Sequence, residues 1–383
     1  MFDADPELTA RYLDHGATSF PKPACVSRAM AEYIDGCGGT YGRAAYDQAA
    51  RASRIVYSTR QRLARAIGAG DPSRLALTLN ATHACNIAIQ GLARPGGTVL
   101  VSALEHNSVM RPSSLMAARR GVRVEVMPAG PDGAVDPERL EPGPEVCLAV
   151  VSLVSNVNGA RQPIEEIAGR LGKIPLLVDA AQAAGEVRLS VEEQGLDLVA
   201  LSGHKGLLGP SGTGALWVRP GLELPTLLPG GTGSRSESIE QPTAMPDSLE
   251  SGTPNLAGIA GLDAALEFGE QHGPGEAIGL AREAIERLGE LPGVAIHAAA
   301  DPERRTSLFS FEVEGMDPGR VAGRLFAEGR IAVRAGLHCS PSAHRWLGTF
   351  ERGGTVRVGF GRFQTSRSVD LLVDAVSRIV KGR

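Results

Sequence analysis

Long apolar runs and blocks of positive charge are both absent from this sequence. No apolar run approaches the roughly 18 residues of a membrane span, so we expect no membrane partner. The 39 Lys and Arg face 43 Asp and Glu without forming a basic stripe, which argues against a nucleic-acid partner. The N-terminal sequence MFDADPELTA is acidic and lacks the layout of a signal peptide, so a cytoplasmic location is expected.

Cysteine is scarce and scattered. Five cysteines, an odd number in a chain of 383 residues, argue against a disulfide framework. No C-x-x-C pair exists, and the group His338, Cys339 and His344 lacks a fourth ligand nearby, so no metal site is expected. Walker A and G-x-G-x-x-G motifs are also missing, and a dinucleotide site is therefore not supported.

From residue 75 onwards, short apolar runs alternate with helical patterns. This alternation predicts an α/β fold with a mainly parallel sheet that helices cover on both faces. Beyond the long Gly- and Pro-rich stretch 219–255, the pattern predicts a smaller α+β domain. Strands are predicted at 75–79, 98–102, 123–127, 146–153, 175–179, 198–201, 214–218, 294–297, 307–312, 331–334 and 355–359. Helices are predicted at 24–34, 44–67, 82–93, 108–120, 163–171, 256–271, 276–288, 318–327 and 367–380, and residues 1–24 are predicted to be irregular.

The stretch DLVALSGHKGLLGP places a lysine, Lys205, just past a predicted core strand. Partial desolvation there destabilises the ammonium form, and an amine of lowered pKa can hold an aldehyde as a Schiff base. Ser202 and His204 offer a hydroxyl and an imidazole to an anion beside it. Pyridoxal 5'-phosphate (PLP) carries both an aldehyde and an anion, whereas the alternative is a lysine that merely extends from a strand-to-turn junction.

Further polar side chains follow predicted strand ends, where open parallel sheets bind ligands. Asp179, with Gln182 three residues on, could keep a pyridine nitrogen protonated, or could simply cap the next helix. Ala81 and Thr82 open a helix whose free N–H groups favour a phosphate, although Thr82 could equally be a cap. His106 could stack on a flat ring and move protons, although a lone histidine is usually structural.

Three residues suggest contacts to a substrate or to a ring substituent. Asn156, after a predicted strand, could hydrogen-bond a ring hydroxyl. Cys339 lies in the loop RAGLHCSP, where neighbouring Arg and His favour a nucleophilic thiolate. Arg357 in an apolar strand suggests a bidentate clamp for a carboxylate, with a structural ion pair as the alternative.

Nine motifs resemble, in order and spacing, those of the class V aminotransferase family of fold-type I PLP enzymes. Within it, the chain is similar to cysteine desulfurases of the group that also contains selenocysteine lyases. The resemblance implies a large PLP-binding domain, residues 18–256, and a small domain formed by residues 1–17 and 257–383. The motifs are LDHGATSFPKP, ATHACN, EHNSV, VSNVNG, VDAAQA, SGHK, ESGTPN, RAGLHCSP and TVRVGFGRFQT.

The resemblance also implies roles for single residues. Lys205 matches the Schiff-base lysine, Asp179 the partner of the pyridine nitrogen, and His106 the residue that stacks on the ring. Gln182 and Asn156 match contacts to the ring oxygen. Phosphate contacts are matched by Thr82, Ser202, His204 and, from the other subunit of an implied homodimer with a shared active site, Thr253.

For the substrate, Cys339 matches the nucleophile that accepts sulfur, and Arg357 the carboxylate clamp, with Arg334 assisting. The implied activity converts L-cysteine to L-alanine and leaves a persulfide for a sulfur-acceptor protein, as in iron–sulfur cluster assembly. Alternatives are a selenocysteine lyase, a transaminase or epimerase with an incidental Cys339, and a catalytically silent binding protein. His15-Gly16 stands where Asn-Ala is usual, and Asn107 where a second histidine is common.

Overall fold

The structure is a computed structural model that describes residues 5–42 and 45–382. The described helices are α1 (Pro6–Arg11), α2 (Ala24–Gly36), α3 (Asp47–Ala66), α4 (Ala81–Leu92), α5 (Asn107–Arg120), α6 (Ile164–Leu171), α7 (Leu256–His272), α8 (Ala277–Gly289), α9 (Pro318–Gly329), α10 (Pro341–Trp346) and α11 (Ser366–Lys381). The described strands are β1 (Leu75–Thr78), β2 (Thr98–Val101), β3 (Arg123–Val126), β4 (Val146–Ser152), β5 (Leu176–Asp179), β6 (Leu198–Ser202), β7 (Gly214–Val218), β8 (Val294–His297), β9 (Leu308–Val313), β10 (Arg334–Gly336) and β11 (Thr355–Gly359).

Seven strands form one sheet in the order β1-β7-β6-β5-β4-β2-β3. Only β7 runs antiparallel to its neighbours. Strands β4 to β7 are buried along their whole length, because α4 and α5 pack on one face and α3, α6 and α7 on the other. The predicted, mainly parallel sheet between helices is confirmed, and its parallel strands bring their carboxyl ends to one edge.

The smaller sheet has the antiparallel order β10-β11-β9-β8, which confirms the predicted second α+β unit. Its core joins apolar residues of α8, α9 and α11 to β9 and β11. The N-terminal segment runs along this sheet, since Asp14 forms a bridge with Gly359. Helix α7 packs instead against α2 and α3, and the domain limits given above stay a prediction.

Some local predictions were wrong. Residues 6–11, predicted to be irregular, form α1, which the Asp5 carboxylate caps by accepting from Glu7 N at 2.9 Å. The strand predicted at 331–334 lies three residues later, because Arg334 pairs with Arg357 in β11. Residues 1–4 and Ala44, which begin two of the predicted segments, lie outside the described residues. Across the described chain, none of the helices has the length and apolar character of a bilayer crossing.

Candidate active site

A cavity of about 220 Å³ opens at the carboxyl edge of the large sheet. Its walls combine the ends of β4, β5 and β6 with the first turn of α4 and the segment before α5. Nine residues singled out from the sequence are therefore brought together. They are Ala81, Thr82, His106, Asn156, Asp179, Gln182, Ser202, His204 and Lys205.

Lys205 is half-buried in this cavity, three residues past the end of β6. Burial lowers the pKa of its amine to about 8, an effect that the Asp179 carboxylate partly offsets and the Arg357 charge reinforces. Near neutral pH, a larger fraction of the amine is therefore uncharged than in an exposed lysine. An uncharged amine is the form that attacks an aldehyde.

Asp179 ends β5 and is 5% exposed. Its Oδ1 accepts from Ala181 N at 2.9 Å, so the carboxylate also caps the turn that follows. Its Oδ2 accepts from Ser108 Oγ at 3.1 Å and, more weakly, from Cys85 Sγ at 3.8 Å. Ser108 and Cys85 were missed from the sequence, although each lies within a motif that the sequence analysis quoted.

His106 caps α5 and faces the cavity as a neutral ring. Its Nδ1 lies 3.0 Å from Ser108 N and 2.9 Å from Ser108 Oγ, and both contacts hold the ring in place. Burial is the main cause that lowers the pKa of the ring to about 4. The ring is therefore a flat, uncharged surface with one N–H donor.

The opposite end of the cavity suits an anion. The first turn of α4 lines it with Ala81 and Thr82, and helix N-termini favour negative charge. Ala81 N lies 3.2 Å from Ser202 Oγ, and the His204 ring adds a third polar group. Strand β7 packs closely beneath this turn, since a Cβ on Gly214 would lie 2.7 Å from Asn80 Cα.

Cys339 is exposed and lies in the segment between β10 and α10. His338 and Cys339 have φ values of 49° and 58°, a left-handed conformation that residues other than glycine rarely adopt. Asn156 holds both neighbours of the cysteine: its Nδ2 donates to His338 O at 2.7 Å, and its Oδ1 accepts from Ser340 Oγ at 2.6 Å. Asn107 N donates to Cys339 O at 2.8 Å, so the cysteine is fastened beside the cavity.

Arg357 and Arg334 are neighbours on paired strands and share the carboxylate of Asp14. Arg357 is 3% exposed; it donates to Asp14 Oδ1 at 2.9 Å and to Asn156 O at 3.2 Å. Its Nε is buried with no partner among the described residues. The ion pair considered from the sequence is thus present, and the guanidinium still has unused donors. Asp14 was missed, because its partners lie more than 300 residues away.

Four sequence-based candidates do not line the cavity: Cys339 and Arg357, described above, and Arg334 and Thr253. Arg334 is half exposed and pairs with Asp14 Oδ2 at 3.1 Å. Thr253 is exposed and does not line the cavity of its own chain, so its contact with a second subunit stays a prediction. In the described part of the chain, no three His, Cys, Asp or Glu side chains converge as metal ligands.

This fold and this set of residues place the chain in the class V aminotransferase family, whose enzymes use PLP. The family model described as "Aminotransferase class-V" matches residues 11–372. A probable cysteine desulfurase of Methanothermobacter thermautotrophicus is 35% identical, over 96% of this chain and 94% of that one. A second, of Pseudomonas aeruginosa, is 33% identical, over 96% and 93% of the two chains.

Two solved structures share the fold. The apo structure of cysteine desulfurase from Thermococcus onnurineus NA1 matches with a TM-score of 0.90 at 28% identity, covering 97% of this chain and 95% of that one. The cysteine desulfurase CsdA from Escherichia coli matches with a TM-score of 0.88 at 29% identity, covering 99% and 96%. The predicted family and the fold-type I architecture are thereby confirmed.

Proposed function

We propose that this protein is a PLP-dependent cysteine desulfurase that converts L-cysteine to L-alanine and keeps the sulfur as a persulfide on Cys339. The observation that carries the proposal is the attachment of Cys339 to the cavity. Asn107, adjacent to His106, holds its carbonyl oxygen, and the cavity residue Asn156 holds both of its neighbours. The backbone around Cys339 is thus attached to the cavity that holds Lys205 and Asp179, and relatives described as cysteine desulfurases support the same assignment.

The polar groups of the cavity fit PLP. Lys205 would hold the aldehyde, Asp179 the pyridine nitrogen, and the turn at Ala81 and Thr82 the phosphate. When bound, PLP acts as an electron sink for the substrate carbon. The remaining contacts are assigned to Ser202 and His204 at the phosphate, Gln182 and Asn156 at the ring oxygen, and His106 on the ring face.

The other residues bind the substrate and move its protons. Arg357, with Arg334, would bind the carboxylate of L-cysteine through the guanidinium donors that Asp14 leaves free. Lys205, as a neutral amine, takes and returns a proton at the substrate carbon. The Cys339 thiolate attacks the substrate sulfur: an S–S bond forms, the C–S bond breaks, and its electron pair takes up a proton on carbon to give alanine.

The same proposal includes a homodimer, in which Thr253 of one subunit contacts the phosphate of the other, and a sulfur-acceptor protein in the cytoplasm. The exposure of Thr253 leaves it free for such a contact. A selenocysteine lyase would use the same residues, so a comparison of L-cysteine with L-selenocysteine on the purified protein decides between the two substrates.

Replacing Cys339 tests the proposal directly. Cys339→Ala should keep the absorbance of bound PLP, while sulfide and alanine formation from L-cysteine fall to background, because the sulfur acceptor is gone. Cys25→Ala is the matched control: this half-buried thiol in α2 only donates to Ala264 O at 3.5 Å, and both readouts should stay at wild-type levels. Sulfide and alanine formed in equal amounts by Cys339→Ala would refute the assigned nucleophile.

A further inference from the structure

One carbonyl oxygen of the site receives an unusual number of hydrogen bonds. His204 O accepts from Lys22 Nζ at 2.8 Å, from Thr18 Oγ1 at 3.0 Å, and from both Oγ and N of Ser19 at 3.1 Å. A carbonyl oxygen has two lone pairs, so four donors crowd it. Because this carbonyl belongs to the peptide bond that leads into Lys205, residues 18–22 hold the chain directly before the reactive lysine.

The same segment also holds the ring of His204. Thr18 Oγ1 donates to this carbonyl and also lies 3.1 Å from His204 Nδ1, within hydrogen-bond distance of the ring. The ring is thereby held at Nδ1, and His204 is one of the residues that line the cavity. Main chain and side chain of His204 are therefore both fixed by residues that do not line the cavity themselves.

Lys22 supplies the only charge in this segment of residues 18–22. It is half-buried, and its ammonium donates to Ser19 Oγ at 2.6 Å and to the His204 carbonyl. Within residues 5–42 and 45–382 it forms no ion pair with a carboxylate. A half-buried cation without a carboxylate leaves positive charge behind His204, and a nearby anion would compensate its desolvation.

We infer that Lys22 is a positioning residue of the cofactor site, which fixes His204 from behind and adds positive charge at the phosphate end of the cavity. The inference rests on the proposed function, since it requires PLP to bind there. Lys22 does not line the cavity, and Thr18 and Ser19 still hold the His204 carbonyl when it is replaced, so its effect should fall mainly on the affinity for the phosphate group.

Cofactor affinity, measured by absorbance titration of the full-length protein freed of PLP, tests this role. For Lys22→Met, we expect the Kd for PLP to rise about tenfold, as for the loss of one charge-assisted hydrogen bond. The Kd for pyridoxal, which has the aldehyde but no phosphate, should change less than about twofold. Lys22→Arg keeps a charged donor and should stay within about threefold of wild type for both ligands.

Two further variants make the result decisive. Lys22→Gln keeps a hydrogen-bond donor but removes the charge. We expect its PLP affinity to lie between those of Lys22→Met and the wild type, because the charge and the hydrogen bond each contribute to binding. Lys173→Met, at an exposed lysine between α6 and β5, is the matched control and should change neither Kd.

Equal losses for PLP and pyridoxal, or no loss for either, in folded Lys22→Met and Lys22→Gln would overturn the inference. Failure of the proposed function looks different. If the wild-type protein binds PLP no more tightly than pyridoxal, the phosphate site itself is refuted, whatever Lys22 does.

Discussion

At the scale of single residues, two arginines that pair with the same carboxylate differ in how far they are buried. Arg357 is 3% exposed and Arg334 is half exposed, yet both pair with Asp14. A guanidinium offers donors in a fixed planar fork, and a lysine at the buried position cannot serve Asp14, Asn156 and a substrate carboxylate together. An exposed ion pair contributes little, because water and salt screen it.

We therefore predict unequal effects from the same substitution at the two arginines. Arg357→Lys should raise the KM for L-cysteine by about tenfold or more, the equivalent of about 1.4 kcal/mol of lost binding. Arg334→Lys should change the KM by less than about threefold. Steady-state alanine formation measures both, and equal effects in the two variants would contradict the assignment of Arg357 as the main clamp.

The pKa of Lys205 predicts how the protein freed of PLP takes up the cofactor. Only the neutral amine reacts, so the uptake rate should rise with pH and be half-maximal near pH 8, below the ordinary lysine value of 10.5. Asp179→Asn removes a charge that raises this pKa, so its midpoint should lie below that of the wild type. Stopped-flow absorbance follows the reaction, with Lys205→Ala as the unreactive control; a midpoint near 10 would contradict a desolvated amine.

The sequence predicted those residues whose position after an apolar run is itself informative. Lys205 and Asp179 are of this kind, because strand ends in a parallel sheet converge on one edge. Asp14 and Ser108 act through partners that are distant in the chain, Arg357 and Asp179, and only the folded structure brings them together.

At the scale of elements, the segment joining β10 to α10 is held by buried hydrogen bonds. Ser340 is fully buried, and its hydroxyl donates to Asn156 Oδ1 at 2.6 Å. Ser340→Ala leaves that oxygen without its partner, so the free energy of unfolding should fall by about 1 to 3 kcal/mol. Amide exchange of residues 337–340 should also become faster, since one of the bonds that fix the segment is lost.

Urea unfolding measures the cost, and Ser27→Ala is the matched control. Ser27 is exposed on α2, where its hydroxyl donates only to Ala24 O at 3.2 Å, so its loss should cost less than about 0.5 kcal/mol. Equal costs for the two serines would mean that the segment is not held by Ser340.

The boundaries of helices and strands agree with the sequence-based predictions where a periodic or apolar pattern is long. They disagree where the pairing with a distant strand sets the limits. Helix α11 and strand β7 lie close to their predicted limits, because an amphipathic period and a continuous apolar run are local signals. Helices α1 and α10 have six residues each, too few for a clear period. Strand β10 is placed by its register with β11, which is a long-range property.

At the scale of the whole molecule, the carboxyl group of one half-buried residue links the two sheets. Glu186 follows the turn after β5, and it accepts a hydrogen bond from Ser307, which precedes β9. Burial raises the pKa of this carboxyl from the ordinary 4.5 to about 7, against the effect of the Ser307 hydroxyl. The folded state therefore holds this proton more tightly than the unfolded chain does.

The sign of the resulting pH dependence follows from that difference. Stability from Glu186 is fully present below about pH 4.5 and is lost as the pH rises to about 7. Glu186→Gln cannot ionise, so relative to wild type it should gain about 1 to 3 kcal/mol of unfolding free energy between pH 4.5 and pH 8. Burial also raises the pKa of Glu105 to about 7. Glu105 is unchanged in Glu186→Gln, so the variant keeps the part of the pH dependence of stability that Glu105 causes.

Urea titrations at pH 4.5 and pH 8 check this prediction. Glu141→Gln, at an exposed position, is the control and should match the wild type at both pH values. A Glu186→Gln protein with no relative gain at pH 8 would show that the carboxyl is not held in its protonated form.

The three hydrogen bonds around Cys339 have a consequence for sulfur delivery. Hydrogen bonds hold the carbonyl of Cys339 and both adjoining residues, so the backbone is fixed on either side of the cysteine. Under the proposed function, the sulfur acceptor would therefore bring its reactive group to this exposed cysteine, because the backbone around Cys339 is held in place.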